Sequence, residues 1–250
     1  MIRLVNINKS FNGQKVLQDL NLTIPSGQTT VIIGLSGGGK SVLLKHIMGL
    51  IRPDSGEIWI DQEELNRLKQ RDLYRVRKRF GMLFQEGALF DSMTVGENVA
   101  FPIREHKKKM PHTEIEKLVC EKLGLVGLSG IEAKMPSELS GGMRKRVALA
   151  RAMALDPDIM LFDEPTTGLD PIMTASIDHL IIETQQRYRM TCVVISHDIQ
   201  SVFRIAHNIV MLFEGKIIEG GTPEVFRQSS NKIIQDFLLG RAPENSNNNH

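Results

Sequence analysis

The stretch Gly34-Leu35-Ser36-Gly37-Gly38-Gly39-Lys40-Ser41 restricts the possible folds of this chain more than any other. So many glycines side by side would weaken a helix or a strand, so the segment is a loop. Its flanks are ordered: Thr29 to Ile33 is a short β-branched run, and Val42 to Gly49 has helical spacing. In a strand–loop–helix setting, successive backbone N–H groups point inward and, helped by the positive end of the helix dipole, cradle phosphate. Gly34, Ser36, Gly37, Gly38, Gly39, Lys40 and Ser41 are therefore candidate nucleotide-binding residues. Lys40 suits the β- and γ-phosphates, and the Ser41 hydroxyl suits Mg²⁺. The alternative is an ordinary flexible glycine turn, and the ordered flanks weigh against it.

A second constellation supports the first. Asp163-Glu164 ends the apolar run Ile159 to Phe162, which puts two carboxylates at the C-terminal edge of a parallel strand, where open α/β sheets place their ligands. Asp163 is a candidate Mg²⁺ holder, and Glu164 a candidate general base that activates or orients an attacking water. Alone, such a pair reads more readily as a solvated acidic turn. Beside a phosphate loop it reads as part of a site.

The rest of the chain organises around these two. Ile2 to Phe11 and Val16 to Ile24 alternate apolar and polar residues about an Asn12-Gly13 turn, which predicts an antiparallel N-terminal sheet. Between about Gln85 and Arg151, glycines, prolines and charges surround two helix-like runs, Thr113 to Leu123 and Met143 to Met153, as expected of an inserted helical subdomain. The long helical stretch Ile172 to Arg187 separates the buried-strand candidates Ile159 to Phe162 and Cys192 to Ile195, a βαβ rhythm that predicts a largely parallel sheet. Ile209 to Gly220 reads as a hairpin turning at Glu214-Gly215, and Thr222-Pro223 as a helix N-cap with proline at the first helical position.

Composition narrows the class. With 41% apolar residues in 250, the chain can bury a substantial core, and a formal net charge of +2 is too small to point to a nucleic-acid binder or a polybasic membrane anchor, local basic clusters aside. Cys120 and Cys192 have no paired spacing and are expected to be two reduced core thiols. No secretory leader and no apolar run near the roughly 20 residues of a bilayer span is present, so a cytoplasmic location is expected.

The segment Leu139-Ser140-Gly141-Gly142-Met143, opening a helix, resembles the signature of ABC transporter ATPases, although Met143 stands where that signature usually ends in Gln. Further family marks follow in order: Gln85 after an apolar run, Gly168-Leu169-Asp170 after Asp163-Glu164, and His197 after Cys192 to Ser196. The resemblance spans Phe11 to about Phe226. It implies an α/β fold with a P-loop NTPase (RecA-like) core, an N-terminal antiparallel β subdomain and a helical subdomain inserted at about 86–151. An ATPase domain is expected over 1–228 and a C-terminal extension with a disordered tail over 229–250. The implied activity is hydrolysis of ATP with Mg²⁺, sandwiched between two copies of the chain, so that Ser140, Gly141 and Gly142 of one copy face the phosphate loop of the other. By resemblance, His197 contacts the γ-phosphate, Gln85 senses Mg²⁺ and water, Asp170 links the two sites, and Phe11 stacks on adenine.

Within the family, Gln85 to Val95 together with Leu139 to Met143 resembles ATPases serving MCE-type phospholipid transporters. That implies a membrane permease, a periplasmic MCE lipid-binding protein and a small STAS-domain subunit as partners, with no nucleic acid. It also implies a peripheral position on the inner face of the inner membrane. The alternatives are an ATPase of a small polar solute importer and a non-transport ABC ATPase. A GTPase is disfavoured because no Asn-Lys-x-Asp motif occurs. The basic runs Arg75 to Arg79, Lys107 to Lys109 and Arg144 to Arg146 are expected to be solvated helix faces. Ile233, Ile234, Phe237, Leu238 and Leu239 form an apolar cluster that either packs on its own domain or latches a partner.

Overall fold

A computed structural model describes residues 1–241. Two sheets organise them: a four-stranded sheet in the order Gln14–Ile24, Ile2–Phe11, Ser55–Ile60, Glu63–Glu64 and a six-stranded sheet in the order Lys216–Gly221, Asn208–Phe213, Thr29–Ile33, Thr191–Ile195, Ile159–Asp163, Phe80–Leu83. β1 (Ile2–Phe11) and β2 (Gln14–Ile24) pair antiparallel across the Asn12-Gly13 turn, as their alternation predicted. β4 (Ser55–Ile60) and the short β5 (Glu63–Glu64) complete that sheet.

In the larger sheet, β3 (Thr29–Ile33), β6 (Phe80–Leu83), β7 (Ile159–Asp163), β8 (Thr191–Ile195) and β9 (Asn208–Phe213) run parallel. β10 (Lys216–Gly221) returns antiparallel as the expected hairpin. Both faces of this sheet are covered, which is why its inner strands read as unbroken apolar runs rather than alternating ones. Val31 and Ile33 of β3 enter one core and Ile32 the other, and β7 divides the same way, with Met160 and Phe162 opposite Ile159 and Leu161. The small antiparallel sheet, α1 (Lys40–Ile47) and α2 (Gln70–Arg77) supply residues to one core. Helices α3 (Val95–His106), α4 (His112–Leu125), α5 (Gly141–Ala152), α6 (Pro171–Tyr188) and α7 (Ile199–Ile205) supply the other.

Several expectations need correction. Between Gln85 and Arg151 there are three α-helices, not two: α3 starts with a Thr94/Glu97 capping box but carries Pro102 inside it, which breaks the helical reading of the sequence. Thr222 does stand at the N-cap of α8 (Pro223–Arg227), yet its side chain accepts no bond from the helix backbone. Cys192 is buried but Cys120 is exposed on α4.

Two of the three basic runs are tied into structure rather than solvated. Arg77 bonds the carbonyls of Met48 and Gly49, Arg79 pairs with Asp61 at 2.7 Å and Asp158 at 2.8 Å, and Lys145 is buried. Lys107, Lys108 and Lys109 are exposed as expected, but in the turn after α3 rather than on a helix face. In α9 (Lys232–Leu238), Ile234 is fully buried and Ile233, Phe237 and Leu238 pack on the same core, while Leu239 is exposed. The C-terminal apolar cluster is therefore covered largely by its own chain. The tail expected to be disordered, 245–250, lies outside the described residues.

Candidate nucleotide site

Strand register gathers the candidate residues. Ile32 pairs with Ile195, Ile195 with Asp163, and Phe162 with Leu83. The chain leaves β3 at Gly34, β8 at Ser196-His197, β7 at Glu164 and β6 just before Gln85, all at the C-terminal edge of the parallel strands. This is the edge where α/β sheets bind ligands.

The glycine loop is required by geometry at two positions. Gly34 has φ 151°, and a Cβ there would come within 2.1 Å of the Leu212 carbonyl oxygen. Gly39, the residue before α1, has φ 93°, with the Val16 carbonyl oxygen 3.0 Å from where a Cβ would stand. The loop therefore lies flat against β2 and β9, and α1 begins at Lys40 with its first N–H groups turned toward the loop. A cleft of about 420 Å³ beside it is lined by Gln14, Lys15, Ser36, Gly37, Gly38 and Glu214.

Lys40 is buried, and its Nζ donates to the carbonyls of Gly34 at 2.7 Å and Leu35 at 2.8 Å. An ammonium has three donors, so one remains for a ligand oxygen. Burial pulls the Lys40 pKa down, and the carboxylates of Glu164 and Asp163 counteract it. Burial pushes the Asp163 carboxyl up, opposed by its hydrogen bond with Ser41. Lys40, Ser41 and Asp163 thus form one electrostatic unit, as their sequence positions suggested.

Glu164 has φ 53°, a left-handed conformation that costs a non-glycine residue about 1 kcal/mol or more. Its N–H bonds the Ile195 carbonyl at 3.0 Å, which holds the turn. One carboxylate oxygen, Oε2, accepts from Thr167 Oγ1 at 2.7 Å and closely contacts His197 Nδ1. Glu164 is nearly covered while His197 is 60% exposed, so the imidazole covers the carboxylate on its solvent side. A carboxylate fixed by a hydroxyl and an imidazole is oriented for proton abstraction from water.

The remaining candidates lie around this centre. Gln85 is exposed at the mouth of the loop after β6. Phe11 is 43% exposed, opposite Gln14 at the end of β1, with the Lys9 ammonium 5.3 Å from its ring centre. It belongs to no core cluster, so it is not a buried packing residue. Ser140 caps α5, accepting from the Met143 N–H at 3.3 Å. A Cβ on Gly142 would meet Met173 at 2.2 Å and one on Gly141 would meet Leu169 at 3.9 Å. The start of α5 therefore packs against the start of α6. Asp170 caps α6, accepting from Ile172 and Met173 N–H at 2.9 and 3.0 Å, so its carboxylate has a structural duty in the same turn.

Sequence reading missed residues that hold this frame. Asn98, fully buried, ties the segment after Gln85 to α3, and Arg151 donates to the Gly87 and Ala88 carbonyls at 2.8 and 2.7 Å. Thr167, Lys145 and the buried Asp178, bonded by Ser201 and Arg204, were also missed. Only Asn98 left a local signal, one residue after the capping box.

Comparison with known proteins agrees with this geometry. A family model described as "ABC transporter" matches residues 17–167. The chain is 46% identical over 242 residues to the intermembrane phospholipid transport system ATP-binding protein MlaF of Haemophilus influenzae, covering 97% of this chain and 91% of that one. It is 45% identical to the probable ribonucleotide transport ATP-binding protein mkl of Mycobacterium tuberculosis, covering 96% and 67%. Among solved structures it resembles an ATP-binding cassette captured as a dimer after hydrolysis with ADP and Pi, with TM-score 0.81 and 33% identity over 89% of this chain and 98% of that one. A cassette from Clostridium perfringens that is part of an ABC transporter complex has TM-score 0.84 and 32% identity, covering 91% and 90%. A chain matched by the family model over more than half its length, with the phosphate loop and the acidic strand end where the fold requires them, belongs to the ABC transporter family as an ATP-hydrolysing subunit.

Proposed function

We propose that this ATPase energises phospholipid transport by a membrane permease at the inner face of the inner membrane, working as a homodimer. The observation that carries the lipid reading is the match to the phospholipid transport protein of Haemophilus influenzae, which covers 91% of that protein, whereas a third of the mycobacterial relative lies outside its match. Among the described residues no helix is long and apolar enough to cross a membrane, so transport requires a permease supplied by another chain.

The site supports the following division of labour. The N–H groups at Gly37, Gly38 and Gly39 and the Lys40 ammonium bind and orient the phosphates, and Phe11 offers an open ring face to the adenine. Ser41 and Asp163, already hydrogen-bonded, are hard oxygen donors of the kind that hold Mg²⁺ beside phosphates, with Gln85 as a further candidate ligand. When bound, that ion supplies charge neutralisation at the β- and γ-phosphates. Glu164 takes the proton of the attacking water, and His197 orients the carboxylate and meets the γ-phosphate.

The start of α5 is turned to Leu169 and Met173, and the nearest neighbours of Gly141 and Gly142 are not in the chain's own phosphate loop. Ser140 and the helix N-terminus behind it are thus available to the nucleotide of a second copy, where their N–H groups stabilise phosphate charge. Closure of two copies on ATP and their release after hydrolysis is the stroke passed to the permease.

The deciding experiment is gentle affinity purification of the membrane complex with mass spectrometry of proteins and lipids. Co-purification of a permease, a periplasmic MCE lipid-binding protein and phospholipid supports the proposal, and a STAS-domain subunit would extend it. A permease with a soluble solute-binding protein and no lipid enrichment overturns the lipid reading in favour of a small polar solute.

A further inference from the structure

Lys145 lies in the second turn of α5, five residues after Ser140, and only 6% of it is exposed. A buried ammonium persists only where partners replace its water. Its Nζ donates to the Thr167 carbonyl at 2.5 Å, and the Thr167 hydroxyl donates to Glu164 Oε2 at 2.7 Å. Burial lowers the Lys145 pKa, while the Glu86 and Glu164 carboxylates pull it back up. The side chain therefore stands between the loop after Gln85 and the turn that carries Glu164.

The same stretch of α5 is fixed to α6. Arg146 Nη2 donates to Ser176 Oγ at 2.6 Å, and Gly142 lies flat against Met173. The first turns of α5, the Thr167 turn and the Glu164 carboxylate are joined by short polar bonds and close packing, so a displacement of α5 is carried to Glu164.

We propose that Lys145 is a positioning residue through which contact between the Ser140 end of α5 and the partner subunit's nucleotide sets the aim of Glu164 in its own subunit. The inference rests on the homodimer reading above. In that arrangement α5 touches the ATP held by the other copy while Glu164 faces the ATP held by its own. The chain Lys145–Thr167–Glu164 then makes each site's chemistry depend on the occupancy of the other.

The test compares the full-length wild type with K145M, which keeps length and removes the charged donor, K145R, which keeps the donor, and T167V, which cuts the second bond. E164Q is examined first, for an ATP-dependent dimer by size-exclusion chromatography. The wild type should hydrolyse ATP with a Hill coefficient above 1, bounded by the two sites. K145M should lose about tenfold or more in kcat, the equivalent of one charge-assisted hydrogen bond, with the Hill coefficient falling to about 1. Binding of a fluorescent ATP analogue to its monomer should stay within about twofold of wild type, since Lys145 touches no nucleotide of its own subunit.

K145R should restore both kcat and sigmoidality, and T167V should behave as K145M does, with the double variant no worse than either single one. If K145M does not fold, T167V and K145R carry the test alone. A K145M or T167V enzyme with wild-type kcat and sigmoidality overturns the proposal, as does a dimerising wild type with hyperbolic kinetics. Failure of E164Q to dimerise overturns the homodimer reading and this inference with it; an E164Q dimer alongside an unaffected K145M overturns this inference only.

Discussion

Replacing Asn98 with alanine should loosen the segment after Gln85 at a cost that follows from the bonds the side chain makes. Asn98 is fully buried. Its Oδ1 accepts from the Phe90 N–H at 2.8 Å, and its two amide protons are shared among the carbonyls of Phe90 and Met93, each at 3.1 Å, and Thr94 at 3.0 Å. Three good bonds at about 1 kcal/mol each give about 3 kcal/mol. A water in the vacated polar space and the better helix propensity of alanine return about 1 kcal/mol. The net loss is about 2 kcal/mol, which for a domain of this size lowers Tm by about 4 to 8 °C.

Urea unfolding and a thermal melt measure the loss, and limited proteolysis should show faster cleavage between residues 85 and 94 while α1 remains protected. Asn98→Asp should cost at least as much, because it keeps the acceptor for Phe90 but sets a carboxylate against three carbonyl oxygens. A loss below about 0.5 kcal/mol, in the range of an ordinary surface substitution, would refute the reasoning that Asn98 holds this segment.

Two further outcomes follow from the site and its surroundings. Gly34→Ala should abolish ATP binding in a filter or fluorescence assay while α1 and the core remain folded, because its Cβ would stand 2.1 Å from the Leu212 carbonyl oxygen at φ 151° and would force the loop off β9; retained affinity within about twofold would contradict it. In thiol titration of the native protein Cys120 should react and Cys192, whose thiol burial pushes up to about 12, should react only after denaturation. Burial of part of the Cys120 thiol and the neighbouring Glu132 carboxylate raise its pKa, so thiolate is scarce at neutral pH and labelling should accelerate as pH rises, with Glu132→Gln faster at a given pH.

The order and placement of the candidate site residues were legible in the sequence because they depend on local rules. Glycines at 34 and 39 report positive φ and close backbone approach. The apolar runs of β3, β7 and β8 report strands covered on both faces. An acidic pair after such a run reports the ligand edge. Local reading failed where a competing local signal or a distant partner decided the outcome. Pro102 masked α3, whose capping box was present in the sequence. Lys145 and Arg146 looked like a solvated basic run until α6 and the Thr167 turn folded over them. Cys120 sits beside the buried Val119 in the amphipathic helix α4 yet falls on its exposed side.

What the sequence by itself determined was therefore the phosphate loop, the βαβ core and the identity of the chemical groups, since each is specified by neighbours a few residues away. Tertiary structure alone decided how Glu164 is aimed, by Thr167 and His197, and which buried side chains, Asn98, Lys145 and Asp178, bind one element to the next. Those bonds join residues brought together by strand register and helix packing, and a polar side chain shows whether it is partnered or solvated only once the elements around it are in place.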